Sequence, residues 1–521
     1  MRAVTPLLAA LSGPISTAGV LIVTTVGAAA LVVGHERLRG ILALIALALA
    51  PALLVLDLSD SPQLSFIHTS PLAAIGLGIV GLGLIAGLAF VLQKNSRAFP
   101  ILVAIALPFR LPIQVGGDTA NLLLPLYLVV AAGAVAWAAP LVLGKSADEE
   151  RPATLIDWAL AGWLLLYGIG SLWSSDPSKA VQQAVFFYIP FSILYLLIVR
   201  VKWTPQLIRG CAMVLVGLAL AFSAIAFYEF GTETLLLNPK LLISNQFHTY
   251  FRVNSVFFDP NIFGRFLMLV LVGLSATLLD TRRARDIAAL AGGIAVLLAA
   301  MVMTLSQSSL VGLLAGLAVI AALRWSWWKV GVITLALAAI GVTAVVVAPA
   351  KDGIKIHSLR VLNNESSGHA NLVSGGIDLF TARPLAGWGS GSFSKAYRQE
   401  QKAGAPTAVS ASHTTPVTAA AEEGILGLIA YLLVLIAGFL RVSQGARRST
   451  ARTAATAGLA ALVVHSMTYA AFFEDPSMWV ILGLGVALPI PLTREQRRAG
   501  REARRSEGDD PAVAAQPAPA T

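Results

Sequence analysis

Gly387-Trp388-Gly389-Ser390-Gly391-Ser392-Phe393 lies inside the longest polar interval of the chain, which runs from Lys351 to Glu423 and carries an isolated His413 near its end. Apolar segments flank this interval on both sides. Backbone of mixed polarity and this length cannot lie in hydrocarbon, because its N–H and C=O groups would remain unpaired. We therefore expect the interval to form a cap at the membrane surface, over a charged cavity that the membrane spans hold at bilayer level.

The composition predicts an all-α polytopic membrane protein. Of 521 residues, 57% are hydrophobic and only 12% are charged, with a mean hydropathy of +0.77, whereas soluble domains carry about 25% charged residues. Small residues in the apolar runs favour closely packed helices over a β-barrel. The single cysteine, Cys211, excludes a disulfide framework and a cysteine metal site. The net charge of +10 is explained by basic loops rather than by nucleic-acid binding.

Apolar segments recur along the chain at lengths near that of a membrane span. A span takes about 20 apolar residues, so we expect about 14 transmembrane helices, within a range of about 12 to 15. The segment 98–114 is the weakest, because it contains Pro108 and Arg110. The first segment has no clear cleavage site and is expected to be retained. The segments are 14–34, 40–57, 72–93, 98–114, 119–144, 154–174, 182–200, 207–229, 262–279, 286–304, 307–323, 329–348, 424–441, 453–473 and 476–491.

Positive charge predicts the orientation. The loops opposite to the basic set hold no Lys or Arg in 58–71 and only Lys179 in 175–181. The positive-inside rule therefore makes the basic set cytoplasmic and places 351–423 on the other side of the inner (cytoplasmic) membrane, together with the loops 230–261 and 173–181. The basic set comprises Arg37, Arg39, Lys94, Arg97, Lys145, Arg151, Arg200, Lys202, Arg282, Arg283, Arg285, Arg324, Lys329, Arg441, Arg447, Arg448 and Arg452.

These patterns divide the chain into five parts. We expect N-terminal transmembrane helices in 1–150, and core transmembrane helices with the Arg252 loop in 151–349. An extracytoplasmic loop domain follows in 350–423, and C-terminal transmembrane helices follow in 424–492. The tail 493–521 begins with several arginines and ends in an Ala/Pro run, so we predict a disordered cytoplasmic tail whose basic start lies on anionic lipid, with partner binding as the alternative.

The first candidate cluster surrounds the start of the 262–279 segment. Pro260 suits the first turn of a helix and Asp259 suits its N-cap, and a helix start favours a nearby anion. Arg252 is a candidate phosphate clamp, because guanidinium binds phosphate oxygens in a two-pronged geometry. In the alternative interpretation, Arg252 and Arg265 extend to lipid headgroups.

Three further clusters carry polar chemistry. The hinge from Thr304 to Ser309 predicts a tight turn that satisfies helix ends, with a substrate contact as the alternative. The glycines of the 387–393 run allow close approach to a ligand, or form a structural turn. His413 lies nine residues before Glu422. Imidazole exchanges protons near neutral pH, so His413 is either a catalytic group or a hydrogen-bonded structural residue.

In this order and at these spacings, the clusters resemble the superfamily of O-antigen ligases and O-antigen (polysaccharide) polymerases, which are membrane glycosyltransferases. The resemblance covers about residues 155–490 and is specific as an ordered set. The matching positions are Trp173-Ser174-Ser175-Asp176-Pro177, Arg252, Pro260-Asn261, Phe263-Gly264, Thr304, Ser306, Pro384-Leu385, Gly387, Gly389, Gly391, Phe393, His413, Glu422 and Gly424.

The sequence departs from the family pattern at two positions. Thr414 stands where the family usually has Asn after its histidine, and His369 stands where it often has a second loop arginine. The residue that holds the second side of a diphosphate is therefore open. Arg360 and Arg398 are nearby cations.

The resemblance implies a fold of the broad GT-C type and an inverting glycosyltransferase that needs neither a metal nor a cofactor. Its donor would be a glycan on a polyprenyl diphosphate such as undecaprenyl diphosphate, and its acceptor a lipid core, a glycan or a protein on the outer face of the membrane, in cell-envelope polysaccharide biosynthesis. Membrane lipids are expected contacts, and nucleic acid is not. The implied catalytic residues are His413 and Arg252, and the implied substrate-binding residues are Asn261, Arg265, Ser306, His369, Gly389, Gly391 and Glu422.

Other functions remain open at this stage. Within the superfamily, ligase and polymerase differ in the acceptor, which one sequence does not name. A multi-span transporter of anionic or lipid-linked substrates would suit the many spans, but it would place its binding charges near the bilayer midplane rather than in one long loop. A scaffold of an envelope-assembly complex would not need the His/Arg/Gly set.

Overall fold

The computed structural model describes residues 4–57, 70–115, 118–145, 150–237, 245, 251–325, 328–332, 369–400, 412–469 and 471–491. Within these residues, eleven helical stretches are long and apolar enough to cross a membrane, which confirms the predicted polytopic helical protein. The helices and strands are α1 (Val4–Val32), α2 (Glu36–Asp57), α3 (Pro71–Lys94), α4 (Ala98–Ala106), β1 (Leu111–Val115), β2 (Asp118–Leu122), α5 (Leu124–Val142), α6 (Leu155–Gly170), α7 (Pro177–Gln183), α8 (Ile189–Arg200), α9 (Pro205–Thr232), α10 (Pro260–Asp280), α11 (Ala284–Met303), α12 (Gln307–Arg324), α13 (His369–Ala382), α14 (Phe393–Glu400), α15 (Thr415–Val442), α16 (Thr450–His465) and α17 (Pro476–Ala487).

Helix α8 is the centre of the bundle. Every residue from Ile189 to Ile198 is buried, and the helix packs on α1, α2, α5 and α17. A π-helical turn, Ala184–Tyr188, leads into it. Pro190 has no N–H to donate to the carbonyl four residues earlier, which is that of Phe186. The Tyr127 hydroxyl donates to that carbonyl at 2.7 Å instead, so a side chain from α5 replaces the missing helix bond.

Helices α10, α12 and α16 form a second tightly packed group. A Cβ added at Gly312 of α12 would lie 2.5 Å from Met268 Sδ on α10 and 3.0 Å from the Ala461 carbonyl on α16. One added at Gly316 would lie 2.7 Å from Val272 Cγ2. Small residues let helices approach closely in lipid, where close packing rather than the hydrophobic effect drives helices together. Helix α10, which begins at the first candidate cluster, is therefore held against α12 by close packing at Gly312 and Gly316.

The predicted span 98–114 is wrong. Helix α4 covers only nine residues, and β1 and β2 follow as an antiparallel hairpin. Pro108 ends the helix, because it lacks an N–H for the carbonyl of Ala104 and its ring crowds that carbonyl. The predicted segments 453–473 and 476–491 form helices of 16 and 12 residues, and most of 329–348 lies outside the described residues, as does the tail 493–521. The segments 98–114, 329–348, 453–473 and 476–491 are therefore the four of the fifteen apolar segments that are not among the eleven helical stretches found in the described residues.

The described part of the 351–423 interval packs as a small apolar core on the start of α15. Trp388, Leu379, Phe393 and Ala421 form this core. The Trp388 indole N–H donates to the Leu379 carbonyl at 3.0 Å, and the Arg383 guanidinium lies 3.9 Å from the centre of the indole ring. Residues 351–368 and 401–411 lie outside the described part.

Candidate functional site

Tyr469, in the connection between α16 and α17, is the centre of a cluster of polar side chains. Its hydroxyl donates to Asp259 Oδ2 at 2.8 Å, and its ring centre lies 6.2 Å from that of His413 and 5.7 Å from that of His465. The Arg265 guanidinium lies 5.8 Å from the Tyr469 ring. Burial, together with the neighbouring Asp259 charge, raises the pKa of Tyr469 well above its ordinary value, so the hydroxyl stays protonated and keeps donating. We call these five residues the Tyr469 cluster.

His413 reaches this cluster from a strained backbone position. Its φ is +62°, a left-handed conformation that costs a non-glycine residue about 1–3 kcal/mol. Its neighbours hold it there: the Ser412 N–H donates to Thr418 Oγ1 at 3.1 Å, and the Thr414 hydroxyl donates to the Met467 carbonyl at 2.8 Å. The imidazole is half-buried. Thr414, the departure from the family pattern, thus ties the histidine segment to the residues just before Tyr469.

Asp259 begins α10 as its N-cap, with Pro260 in the first turn, as predicted. The Asn261 N–H donates to Asp259 Oδ1 at 2.7 Å, and the Asn261 side chain is half-buried. One carboxylate therefore caps the helix with one oxygen and accepts from Tyr469 with the other. Asn261 directly follows Pro260, and its N–H contact with Asp259 places it next to the Tyr469 cluster.

Arg252 lies on the segment before α10 and is held by its backbone and its Nε. The Nε donates to the Thr304 carbonyl at 3.0 Å, and the Arg252 N–H and carbonyl pair with the Asn245 side-chain amide at 3.3 and 3.0 Å. Buried Glu229 orders the next residues by accepting the N–H groups of Asn254 and Ser255. Within the described part of the chain, the two terminal nitrogens of Arg252 have no hydrogen-bond partner. The guanidinium is therefore fixed at Nε, and its two terminal nitrogens are available to a ligand.

Arg265 differs from Arg252, because its charge is already paired. It is buried in α10, with Nε 2.7 Å from Asp475 Oδ2. Asp475 is the N-cap of α17. Burial acts to raise the pKa of Asp475, but the charges of Arg265 and Arg110 together with hydrogen bonds from Ser477 outweigh burial and lower that pKa. Asp475 is therefore charged, and the pair joins α10 to α17.

The predicted polar hinge is the N-terminal cap of α12. Ser306 is fully buried, and its Oγ accepts from the Ser309 N–H at 3.3 Å. A Cβ added at Gly264 would lie 2.6 Å from Ser309 Oγ, so the Phe-Gly motif brings α10 onto this cap. The structure gives Ser306 a capping role, and its contact with substrate stays a prediction.

The glycine run packs on the protein's own backbone. Gly387, Gly389 and Gly391 all have positive φ, at +64°, +92° and +71°. A Cβ at Gly389 would lie 2.6 Å from the Ser174 nitrogen, and one at Gly391 would lie 2.8 Å from the Ala180 nitrogen. Gly389 and Gly391 therefore permit close approach to the 171–180 turn, whereas Gly387 lies against the Glu422 carbonyl. Binding of a ligand by Gly389 or Gly391 stays a prediction.

Two side chains of the early Trp-Ser motif complete this contact. The Trp173 indole N–H donates to the Ala386 carbonyl at 3.1 Å, and the Ser174 hydroxyl donates to the Ser390 carbonyl at 2.7 Å. From the other side, Glu422 accepts the Phe393 N–H at 3.0 Å. Glu422 thus holds the start of α14, and its predicted contact with substrate remains untested.

Residues 292–432 match the protein-family model described as O-Antigen ligase. We call the matched residues 292–432 the O-antigen ligase domain, after the family model that they resemble. The resemblance to the O-antigen ligase superfamily is thereby confirmed. No curated protein matches the chain. The family implies a membrane enzyme that uses a lipid-linked glycan donor and an acceptor.

The O-antigen ligase domain contains Ser306, the glycine run, His413 and Glu422. Arg252, Asn261 and Arg265 precede it, and Tyr469 follows it. The site is therefore assembled from the domain and its two flanks. His369 begins α13 inside the domain, but its side chain lies outside what the structure describes.

The sequence interpretation missed Tyr469, His465 and Asp475. No motif marks a single tyrosine between two apolar segments. For Asp475, the run Glu474-Asp475-Pro476 has the same cap-then-proline pattern as Asp259-Pro260, and this was the available signal.

Proposed function

We propose that this O-antigen ligase-like enzyme transfers a glycan from a polyprenyl-diphosphate carrier to an acceptor hydroxyl on the outer face of the cytoplasmic membrane, in cell-envelope polysaccharide synthesis. The observation that carries the proposal is His413, held in a strained conformation beside Tyr469 within the O-antigen ligase domain. Strained backbone that the surroundings hold in place is typical of functional sites.

The proposed reaction is one direct displacement. The acceptor oxygen attacks the anomeric carbon, the bond from that carbon to the diphosphate oxygen breaks, and the acceptor proton passes to the neutral His413 imidazole. The polyprenyl diphosphate leaves with the bonding electron pair. A single displacement inverts the configuration at the sugar and needs no covalent glycosyl-enzyme.

Arg252 has the complementary role in this proposal. Among the described residues its terminal nitrogens have no hydrogen-bond partner, while Nε and the backbone are fixed against Thr304 and Asn245. A preorganised guanidinium stabilises the negative charge that develops on the leaving diphosphate without reorganising during the reaction. In this proposal the cationic side chain does the work of a divalent metal ion.

The proposal is tested by reconstituting the purified chain in proteoliposomes with a defined glycan on undecaprenyl diphosphate. Candidate acceptors are offered separately: a lipid core, a protein, or a second carrier-linked glycan. Transfer to the first or second class indicates a ligase, and transfer to the third a polymerase. No transfer to any of the three, with the protein folded and the donor bound, contradicts the proposal.

His413→Ala and His413→Gln are expected to lower turnover by about 10²–10⁴-fold, because general-base catalysis typically contributes that much. Donor binding, measured separately, should remain. In the wild type, turnover should fall as the pH is lowered and the imidazole takes up a proton. If His413 instead bound the diphosphate as a cation, activity would fall as the pH rises. Wild-type turnover in both variants would rule out the catalytic role.

A further inference from the structure

Glu423 is a buried carboxyl group that the site described above does not use. It follows Glu422 near the start of α15 and is only 2% exposed. Its Oε1 lies 2.6 Å from Ser390 Oγ of the glycine run, and its Oε2 has no hydrogen-bond partner among the described residues. A Cβ added at Gly170, the last residue of α6, would lie 2.1 Å from Oε2. The carboxyl group is therefore enclosed against the end of α6.

The hydrogen bonds of Ser390 indicate the protonation state of this carboxyl group. Ser390 Oγ also lies 2.5 Å from the Tyr167 carbonyl oxygen. Both distances are those of O–H···O hydrogen bonds, and each bond needs one hydrogen between its two oxygens. A serine hydroxyl has one hydrogen to donate, and a carbonyl oxygen has none. Because Ser390 donates to only one of its two neighbours, the second hydrogen has to come from Glu423.

The groups around Glu423 also favour a neutral carboxylic acid. Glu422 is a second buried carboxyl group beside it, and neighbouring buried carboxyls disfavour the ionisation of both. An ionised carboxylate with one unpaired oxygen would be costly to bury. The other titratable groups that face these acids are Tyr167 on α6, Lys179 on α7, Tyr188 in the π-helical turn before α8, and Glu474 in the connection between α16 and α17.

We propose that Glu423 carries a proton that joins the cap to the bundle, which makes it a positioning residue for the site. The Glu423 O–H donates to Ser390 Oγ, and the Ser390 O–H donates to the Tyr167 carbonyl, so the pair of bonds connects α15, the glycine run and α6. Without this proton one bond lacks a hydrogen, and two oxygens face each other at close range. Helix α15 begins two residues after His413, so loosening of this contact reaches the catalytic segment. The effect on transfer rests on the proposed function, whereas the proton on Glu423 does not.

Docking of the cap is expected to weaken as the pH rises. A glutamate exposed to water loses its proton above about pH 4.3, whereas Glu423 keeps a proton while the cap is docked. Docking therefore takes up a proton, and the docking equilibrium falls by up to about 10-fold per pH unit until the docked acid also ionises. Glu423→Gln replaces the O–H donor by an amide N–H that does not titrate. We expect this variant to keep the cap docked and to lose the pH dependence that is due to Glu423.

The proton itself is observed by infrared spectroscopy of the purified full chain in nanodiscs at neutral pH. The C=O stretching band of protonated carboxyl groups should lose intensity in Glu423→Gln. Glu400→Gln, which removes an exposed carboxylate from α14, is the matched control and should leave the band unchanged. In Ser390→Ala the band should shift, because the carboxyl O–H loses its acceptor. Full band intensity in Glu423→Gln overturns the inference, and an unshifted band in Ser390→Ala does so if Glu423→Gln does not fold.

The positioning role is measured as the rate of limited proteolysis in the cap between about pH 5 and 8. Dividing the wild-type rate by the Glu423→Gln rate at each pH removes the pH dependence of the protease. This ratio should rise with pH, and a constant ratio overturns the positioning role. In the transfer assay, the ratio of wild-type turnover to Glu423→Gln turnover should fall over the same range.

The two proposals fail separately. Loss of band intensity in Glu423→Gln and a rising proteolysis ratio, without any glycan transfer, contradict only the proposed function. Glycan transfer with a full band in Glu423→Gln and a constant proteolysis ratio contradicts only the role of Glu423.

Discussion

His413 illustrates how a single side chain is prepared for chemistry by its neighbours. Ser412 and Thr414 are both fixed by hydrogen bonds, one within the histidine segment and one to Met467. The histidine between them adopts φ +62° and directs its ring to Tyr469. Residues held at sparsely populated backbone angles are concentrated at active sites and ligand-binding positions, where the surrounding structure keeps them in place. The strain is therefore better explained by a requirement on the position of the imidazole.

Arg252→Ala is expected to reduce transfer by at least about 10²-fold, because the open face of the guanidinium is the part proposed to meet the diphosphate. Arg252→Lys should recover only part of the activity, since an ammonium group lacks the planar two-pronged geometry and cannot reproduce the Nε bond to Thr304. Transfer is measured in proteoliposomes, with the amount of folded protein checked by size-exclusion chromatography. Arg209→Ala serves as the control for loss of one positive charge. Full activity of Arg252→Ala in folded protein would exclude the clamp role.

At this scale the sequence predicted the site residues that lie in short motifs, and it missed the residues that meet them from far along the chain. Asp259 was identified as a cap, because capping depends on adjacent residues. Its second role, as acceptor for Tyr469, depends on a residue more than 200 positions later. Arg265 was predicted to contact substrate, yet its ion pair with Asp475 depends on how α10 and α17 pack. Such contacts leave no local pattern.

Among the structural elements, the glycine run shows why one pattern had two interpretations. Glycines at alternate positions predict close approach of backbone, but not what approaches. In the structure the partner of Gly389 and Gly391 is the 171–180 turn, and Trp173 and Ser174 of the Trp-Ser motif donate hydrogen bonds directly to the glycine segment. The span prediction for 98–114 failed for a related reason. Hydropathy counts apolar residues, so it did not show that Pro108 ends helix α4 about halfway through the predicted span.

Gly389→Ala is expected to destabilise the described part of the cap by at least about 1–2 kcal/mol, the cost of a left-handed backbone for a residue with a Cβ. The added methyl group would also press on the Ser174 backbone nitrogen. The measurement is the midpoint of thermal unfolding in detergent, together with the rate of proteolysis in the cap. Gly292→Ala, on an open face of α11, is the control and should leave both unchanged. An unchanged midpoint and an unchanged proteolysis rate in Gly389→Ala would contradict the packing role of this glycine.

In the whole molecule, the cap is joined to both halves of the chain. Its glycine run contacts the 171–180 turn that follows α6, and its last residues continue into α15, whose helix kinks at Gly424. Helix α15 packs on α6, so the two ends of the cap are fixed to neighbouring helices. The O-antigen ligase domain alone does not contain the 171–180 turn, Arg252 or Tyr469, so we expect it to be inactive without its flanks.

The orientation of the molecule determines whether the Tyr469 cluster meets a donor on the outer face. Because the basic loops share one side with the arginine-rich tail, we predict that residues 351–423 face away from the cytoplasm. In a Cys211→Ala background, Gly404→Cys should react with a membrane-impermeant thiol reagent added outside spheroplasts, and Ser506→Cys should react only after the membrane is opened. Each variant is the other's control, since both positions lie in polar sequence. Labelling of Gly404→Cys only after opening would place the cap in the cytoplasm. The transfer reaction would then have to use donors on the cytoplasmic face, which contradicts the proposed function at its first step.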